Sequence, residues 1–322
     1  MIVLTGGAGF IGSCILSHLN RIGREDVVVV DHLDAGGLKK QNLAGKKFSE
    51  YVDKKEFLER VIGDKLPGSV DCVLHMGACS STILQDARYY QENNYEYTVH
   101  LAQWALAHDA RFIYASSAAT YGDGSLGYKD DEATTRRLRP LNLYGESKHK
   151  FDLWVLDSGY DQRFVGLKFF NVFGPNEYHK GEMRSVVAKA FDRVVREGKI
   201  ALFKSYRPDY KDGEQKRDFI YISDAVDIVM FFMEHPAING IYNVGTGEAR
   251  TWNDLARSLF AAVGKEPCIE YVDMPSDIQP RYQYYTQADM TKLRAQEYQK
   301  PFTSLEDAVT DYAGYLKDKR HL

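Results

Sequence analysis

Tyr144 and Lys148 stand four residues apart in Tyr144-Gly145-Glu146-Ser147-Lys148. On a helix that spacing puts both side chains on one face, so the ammonium stands beside the phenol. A free phenol, with a pKa of about 10, is a poor base at neutral pH. A neighbouring cation favours the phenolate and makes the group usable for proton transfer. The pair alone could equally be an exposed helical pair, but it has company. Ala115-Ser116-Ser117-Ala118-Ala119-Thr120-Tyr121-Gly122 follows a strand-like run. A hydroxyl at Ser117 would hydrogen-bond a substrate oxygen that gains negative charge.

A second chemical signal lies at the N-terminus. Thr5-Gly6-Gly7-Ala8-Gly9-Phe10-Ile11-Gly12 fits a dinucleotide fingerprint through Gly7, Gly9 and Gly12, and a looser one through Gly6, Gly9 and Gly12. Glycines permit the tight turn and the approach of backbone N–H groups to a pyrophosphate, and the following helix presents its positive end. A Gly-rich turn alone needs no ligand. Here a strand precedes it, a helix follows, and Asp31 closes the next strand about 20 residues on, where an acid bonds the adenosine ribose. Asp31 favours NAD, while Lys39 and Lys40 offer partners for the 2′-phosphate of NADP; spacing alone leaves both open. The plain reading of Lys39-Lys40-Gln41-Asn42 is a solvated charge run.

Elements that would hold these groups are legible. Met1–Thr5, Val27–Val30, Cys72–His75, Phe112–Ser116 and Phe164–Phe170 read as strands, the four valines as one buried on both faces. Gly12–Ile22 and Tyr89–Ala107 read as helices. This alternation predicts an α/β fold: a Rossmann-type doubly wound parallel sheet with a smaller α/β C-terminal substrate domain. We expect a dinucleotide-binding domain over 1–170, with about 218–247 returning to it, and a substrate domain over 171–322. In the latter, Asp224–Glu234 and Trp252–Val263 read as helices, Asn243–Gly247 as a Gly-rich turn and Tyr206–Lys216 as an exposed loop. With 322 residues and 27% charged, the chain suits one large or two smaller units. A net charge of −4 gives no field for nucleic acid or an anionic membrane. The sequence has no membrane-length apolar run, no visible secretory signal and no paired cysteines, so a reducing cytoplasm is expected. Metal-ligand spacing is absent, and no metal is expected. His75, Cys79, Trp104, Trp154 and Trp252 read as packing residues.

The order of these motifs resembles the extended short-chain dehydrogenase/reductase superfamily and its nucleotide-sugar epimerases and dehydratases. His75-Met76-Gly77-Ala78-Cys79-Ser80-Ser81-Thr82, Glu92-Asn93-Asn94-Tyr95, Phe169–Pro175, His179-Lys180-Gly181, Lys216–Phe219 and Arg281-Tyr282-Gln283 are similar to the ADP-heptose 6-epimerase branch, over most of the chain. The resemblance implies an isomerase that inverts C6″ of ADP-D-glycero-β-D-manno-heptose for lipopolysaccharide inner-core synthesis. It implies transient oxidation with bound NADP (NAD being the other candidate), and a homo-oligomer. It implies Tyr144 and Lys180 as acid/base groups, Lys148 as the tuning and ribose-binding residue and Ser117 as holder of the reacting oxygen. Cofactor contacts carried over are Gly6, Gly9, Phe10, Ile11, Gly12, Asp31, His32, Lys39, Lys54, Met76, Gly77, Ala78, Cys79, Ser80, Asn93, Tyr144, Lys148, Val172 and Lys180. Substrate contacts are Ser117, Asn171, Glu182, Lys189, Phe203, Lys204, Ser205, Tyr206, Arg217 and Tyr282. Arg217, with its planar fork, suits a diphosphate.

The sequence departs from the family pattern in places. An extra residue lies within 36–40, Met76 replaces a frequent acid, Glu182 replaces an expected serine, Lys204 and Tyr206 break a familiar string, and the 206–215 loop is long. The alternatives are a UDP-hexose 4-epimerase, a 4,6-dehydratase or a silent dinucleotide sensor. A dehydratase wants an acid pair near Ser117, which Ala118-Ala119-Thr120 does not offer, and intact Ser117, Tyr144 and Lys148 speak against a sensor.

Overall fold

The computed structural model describes residues 1–33, 36–66, 69–276, 278–279 and 282–322. Arg281, quoted above in Arg281-Tyr282-Gln283, lies outside the described residues. Among the described residues twelve strands run in chain order: β1 (Ile2–Thr5), β2 (Val27–Asp31), β3 (Glu50–Asp53), β4 (Cys72–His75), β5 (Arg111–Ser117), β6 (Phe164–Phe169), β7 (Asn171–Phe173), β8 (Ile200–Phe203), β9 (Lys216–Tyr221), β10 (Gly240–Val244), β11 (Ala249–Thr251) and β12 (Ile269–Val272). Seven of them form one parallel sheet in the order β10-β6-β5-β4-β1-β2-β3. The order reverses at β1, which pairs β2 on one side and β4 on the other. In such sheets the crevice outside the strand ends at the reversal is where ligands bind.

The valine run explains the two-sided core. Successive side chains of a strand point to opposite faces. Val27 and Val29 join one apolar cluster with Leu4, Leu74 and Leu167, while Val28 and Val30 join a second with Val3, Val73 and Phe112. Helices cover both clusters, which satisfies a parallel sheet's need for burial on each face.

The later chain partly returns to this sheet. Asn243 and Val244, read from sequence as part of a Gly-rich turn, belong instead to β10, every residue of which is buried. The backbone turns only after Val244. The misreading has a local cause: Asn and the flanking glycines carry turn signals, but pairing with β6 along the whole strand outweighs them. Asn171 starts a separate strand, β7, in a three-stranded sheet ordered β11-β9-β7, and β8 pairs β12 alone. The Val186–Glu197 helix and β8 fill a stretch to which the sequence assigned no elements. Among the described residues no helix is long and apolar enough to cross a membrane.

Candidate active site

The glycine turn between β1 and the Phe10–Arg21 helix lies against the turn that follows β4. A Cβ on Gly6, whose φ is +68°, would sit 2.7 Å from the Gly77 nitrogen, and one on Gly12 would sit 2.1 Å from the Gly6 carbonyl oxygen. Both positions exclude any side chain. The helix starts at Gly9 without a side-chain cap and without an acid in its first turn, so its positive end is left for an anion. At the end of β2, Asp31 accepts the Ala8 N–H at 2.9 Å, the His32 N–H at 2.7 Å and the Lys39 ammonium at 2.9 Å. Lys54 donates to Asn93 at 2.6 Å. Burial, then the nearby Lys39 charge, lowers the proton affinity of Lys54. A bare helix end over a glycine-lined turn, a carboxylate at the end of β2 and two crowded ammonium groups fit a dinucleotide phosphate.

Asn94, within the Glu92-Asn93-Asn94-Tyr95 string, positions the site from behind. The expected Tyr89–Ala107 helix forms as Ala87–Tyr90, a π-helical turn at Gln91–Glu96 and a further helix at Tyr97–Ala107. The wider turn buries Asn94. Its amide accepts the Cys79 N–H at 2.8 Å and donates to the Cys79 carbonyl at 2.9 Å and to Ser147 Oγ at 3.1 Å. Ser147 Oγ in turn donates to the Tyr144 carbonyl at 2.7 Å. One side chain thus fixes the Met76–Ser80 turn against the helix that carries Tyr144. A regular helical period gives no hint of this.

The Tyr144 helix spans Leu143–Asp157, capped by the Asn142 side chain on Gly145 N–H. Tyr144 and Ser117 face one cleft of about 860 Å³, with Asn171, Lys180 and Arg217 also on its walls. Burial pushes the Tyr144 phenol up, and its hydrogen bond with Ser117 partly offsets this. The tuning expected from Lys148 is not among the influences on this phenol. Lys148 itself is buried, donates to the Ala115 carbonyl at 2.7 Å and is pushed down to about 8, by burial first, against the raising influence of Asp152. Behind it, Asp152 accepts from Lys168 at 2.7 Å, Ser116 at 2.8 Å and Tyr114 at 3.0 Å. His75 bonds Thr5 and Thr98, and burial drives it down to about 3.

Lys180 reaches the same cleft from a turn at Tyr178–Met183, with its ammonium 5.1 Å from the centre of the Phe10 ring. Arg217, also on the cleft wall, is buried, its guanidinium 5.1 Å from the Tyr282 ring and 5.7 Å from Trp252. Trp252 Nε1–H donates to the Tyr282 hydroxyl at 2.9 Å. Trp252 was read as packing, yet it lines this cleft and a second one of about 390 Å³ that includes Phe203 and Lys189. Val172 and Glu182 line the main cleft. Lys204, Ser205 and Tyr206 are not on either wall: Lys204 and Tyr206 each bond Asp273 at 3.1 Å, and Ser205 N–H bonds Asp212 at 2.7 Å. The 206–215 loop supplies part of this pull through Asp212, and Asp273 and the Tyr284 hydroxyl, later in the chain, supply the rest.

The comparisons with known proteins agree with this geometry. The NAD dependent epimerase/dehydratase family matches residues 2–245. The ADP-L-glycero-D-manno-heptose-6-epimerase of Nitratidesulfovibrio vulgaris is 51% identical over 312 residues, covering 97% of this chain and 96% of its own. That of Fusobacterium nucleatum is 42% identical over 97% of this chain and 96% of its own. The crystal structure of the Helicobacter pylori ADP-L-glycero-D-manno-heptose-6-epimerase superposes with a TM-score of 0.82 at 29% identity, over 98% of this chain and 96% of that one. A glycine turn at the sheet's reversal, a tyrosine–lysine helix above it and near-full-length identity to these enzymes make the chain a member of the NAD dependent epimerase/dehydratase family and, within it, of the ADP-L-glycero-D-manno-heptose-6-epimerases.

Proposed function

We propose that this enzyme inverts C6″ of ADP-D-glycero-β-D-manno-heptose, working with NADP in the cytoplasm as a homo-oligomer and feeding lipopolysaccharide inner-core assembly. The single observation that carries the reading is the meeting of Ser117, Tyr144, Lys180 and Arg217 on one cleft. Residues 1–170, with 218–247 returning, hold the dinucleotide, and 171–322 hold the sugar nucleotide. Bound at the glycine turn, the dinucleotide supplies the acceptor and donor of hydride at C6″. Inversion needs proton transfer to and from the C6″ oxygen in two orientations of the same carbon. Tyr144, with Ser117 beside it, serves one, and Lys180 serves the other. Lys148 binds the nicotinamide ribose and brings positive charge beneath the phenol. Arg217, fixed between two aromatic faces, presents its donors to the diphosphate.

NADP is preferred over NAD because the Asp31 carboxylate is already engaged by two N–H groups and Lys39, so its charge is not left to repel a 2′-phosphate. The test is to incubate the protein with ADP-D-glycero-β-D-manno-heptose and follow the L-glycero epimer by NMR. We expect conversion without net oxidation, and a loss in Tyr144→Phe of about 100-fold or more. Conversion of a UDP-hexose with no action on the heptose would overturn the assignment.

A further inference from the structure

The turn that carries Lys180 is irregular: Gly181 inside it has a φ of +54°. Such a turn does not hold a side chain in place by its own backbone ladder. What fixes it is Glu177, a carboxylate with no solvent exposure just before the turn. Its Oε2 accepts the Ser185 N–H at 2.7 Å, and its Oε1 accepts the Ser185 hydroxyl at 2.5 Å. Ser185 is the residue just past the turn's end and also caps the Val186–Glu197 helix, with its Oγ accepting the Ala188 N–H. The Glu177 carbonyl accepts the Lys180 N–H at 3.0 Å. From across the core, the Tyr312 hydroxyl of the Leu305–Asp318 helix donates to Oε1 at 3.0 Å. The two ends of the Lys180 turn are therefore stapled to each other and to the last helix through one side chain.

We infer that Glu177 is a positioning residue for Lys180: it closes the turn that carries the lysine and ties that turn to the last helix, placing its carboxylate near the ammonium without pairing with it. This rests on the reading of Lys180 as the second acid/base group. Burial alone lowers the proton affinity of Lys180, and Glu177 is the charge that opposes it. The other groups packed around the turn do not share that task at neutral pH. Burial pushes Cys14, on the Phe10–Arg21 helix, and Tyr178 up to about 12, and raises Tyr312 well above the usual phenol range. His179 is driven down to about 4 by burial, Lys39 and Lys180. All four are neutral. Glu182, Arg184 and Lys189 stand on the open cleft wall, where solvent screens them. A lysine that must take and give a proton next to an apolar ring benefits from such a counter-charge, which keeps the ammonium populated while leaving the nitrogen itself facing the cleft.

The direct test reads Lys180 rather than turnover. The protein is labelled with ¹³C-lysine, the Lys180 Cε resonance is assigned with Lys180→Arg, and its shift is followed against pH. In Glu177→Gln the titration midpoint of Lys180 should fall, by up to about 1, because a nearby opposite charge is lost. The alkaline limb of the kcat profile should move with it. Ser185→Ala removes a hydrogen bond but keeps the charge, so its midpoint should not fall. An unmoved midpoint in Glu177→Gln, or an equal fall in Ser185→Ala, overturns the inference. Should Glu177→Gln fail to fold, Tyr312→Phe carries the test: with one donor withdrawn, the charge bears more fully on Lys180 and the midpoint rises, while a fall overturns the idea. Wild-type turnover in Lys180→Met would defeat the acid/base reading separately, because the midpoint measurement does not depend on catalysis.

Discussion

Lys148 shows how far the site departs from what stability alone would select. Its ammonium is buried against one backbone carbonyl, and its folded value of about 8 lies below the ordinary 10.5. Between those two pH values the unfolded chain binds more protons than the folded one, so the contribution of this group to stability rises with pH across that window. Below about 8 the folded protein bears the whole cost of the buried charge, on the order of 3 kcal/mol. Lys148→Met should therefore lose turnover yet melt at or above the wild-type Tm at pH 7, an advantage that fades as pH climbs toward 10.5. Calorimetry across pH reads this, and a lower Tm at pH 7 with no pH trend would contradict it. A second residue-scale expectation concerns Lys39 and Lys54. Two ammonium groups that disfavour each other become comfortable once a phosphate dianion sits between them. Lys39→Ala should weaken NADP binding about 10-fold, one charge-assisted contact's worth, while NAD affinity changes little. Fluorescence titration of both nucleotides decides it.

At the scale of elements, the catalytic helix is held from behind by a buried ion pair. Asp152 on the Leu143–Asp157 helix and Lys168 on β6 are both fully buried and 2.7 Å apart, with Ser116 and Tyr114 of β5 donating to the same carboxylate. The carboxylate thus fixes Tyr144's helix to the strand that ends in Ser117. Breaking a buried pair costs more than deleting it, because the survivor stays charged in a dry place. Asp152→Ala should lose about 3–5 kcal/mol in urea unfolding, and the double variant Asp152→Ala/Lys168→Met clearly less than the single one. The sequence disclosed the helix and the strand, because each is a run of local signals. It disclosed neither the pair, whose members sit on two different elements 16 residues apart, nor the π turn that buries Asn94, since an inserted residue in a helix leaves no period to read. Trp252 was passed over for a related reason. An aromatic at the start of a helix looks like core, and only the approach of Tyr282 and Arg217 turns it toward the cleft.

On the scale of the whole molecule, the question is what ties the dinucleotide turn to the Lys180 turn so that one cleft results. Among the described residues Asn42 is one such link, beside the Asn176 amide, which donates to Ser13 Oγ at 2.9 Å. The sequence presented Asn42 as the tail of a solvated run, Lys39-Lys40-Gln41-Asn42, and polar composition supported nothing else. In the fold it is 1% exposed. Its Nδ2 donates to the Ala8 carbonyl and the Asn176 carbonyl, each at 3.0 Å, and approaches the neutral His179 ring at 3.3 Å. Its Oδ1 lies 2.8 Å from Nδ1 of His321. These partners sit 34, 134, 137 and 279 residues away, so no local pattern could have announced them. The amide holds the glycine turn, the backbone entering the Lys180 turn and the C-terminal residues at one point. Asn42→Ala leaves two buried carbonyls without donors, a loss of about 2–3 kcal/mol. If those bonds hold the two turns in register, the cost appears in two places at once. The Tm falls, and bound dinucleotide dissociates faster, because its turn is no longer held against the opposite wall. Asn42→Asp offers the contrast: it keeps the size and the acceptor for His321 but withdraws both amide hydrogens, so it should match Asn42→Ala in dissociation rate. A lowered Tm with dissociation unchanged in both variants would confine Asn42 to packing and leave the register of the two turns to the sheet and to the Asn176–Ser13 bond.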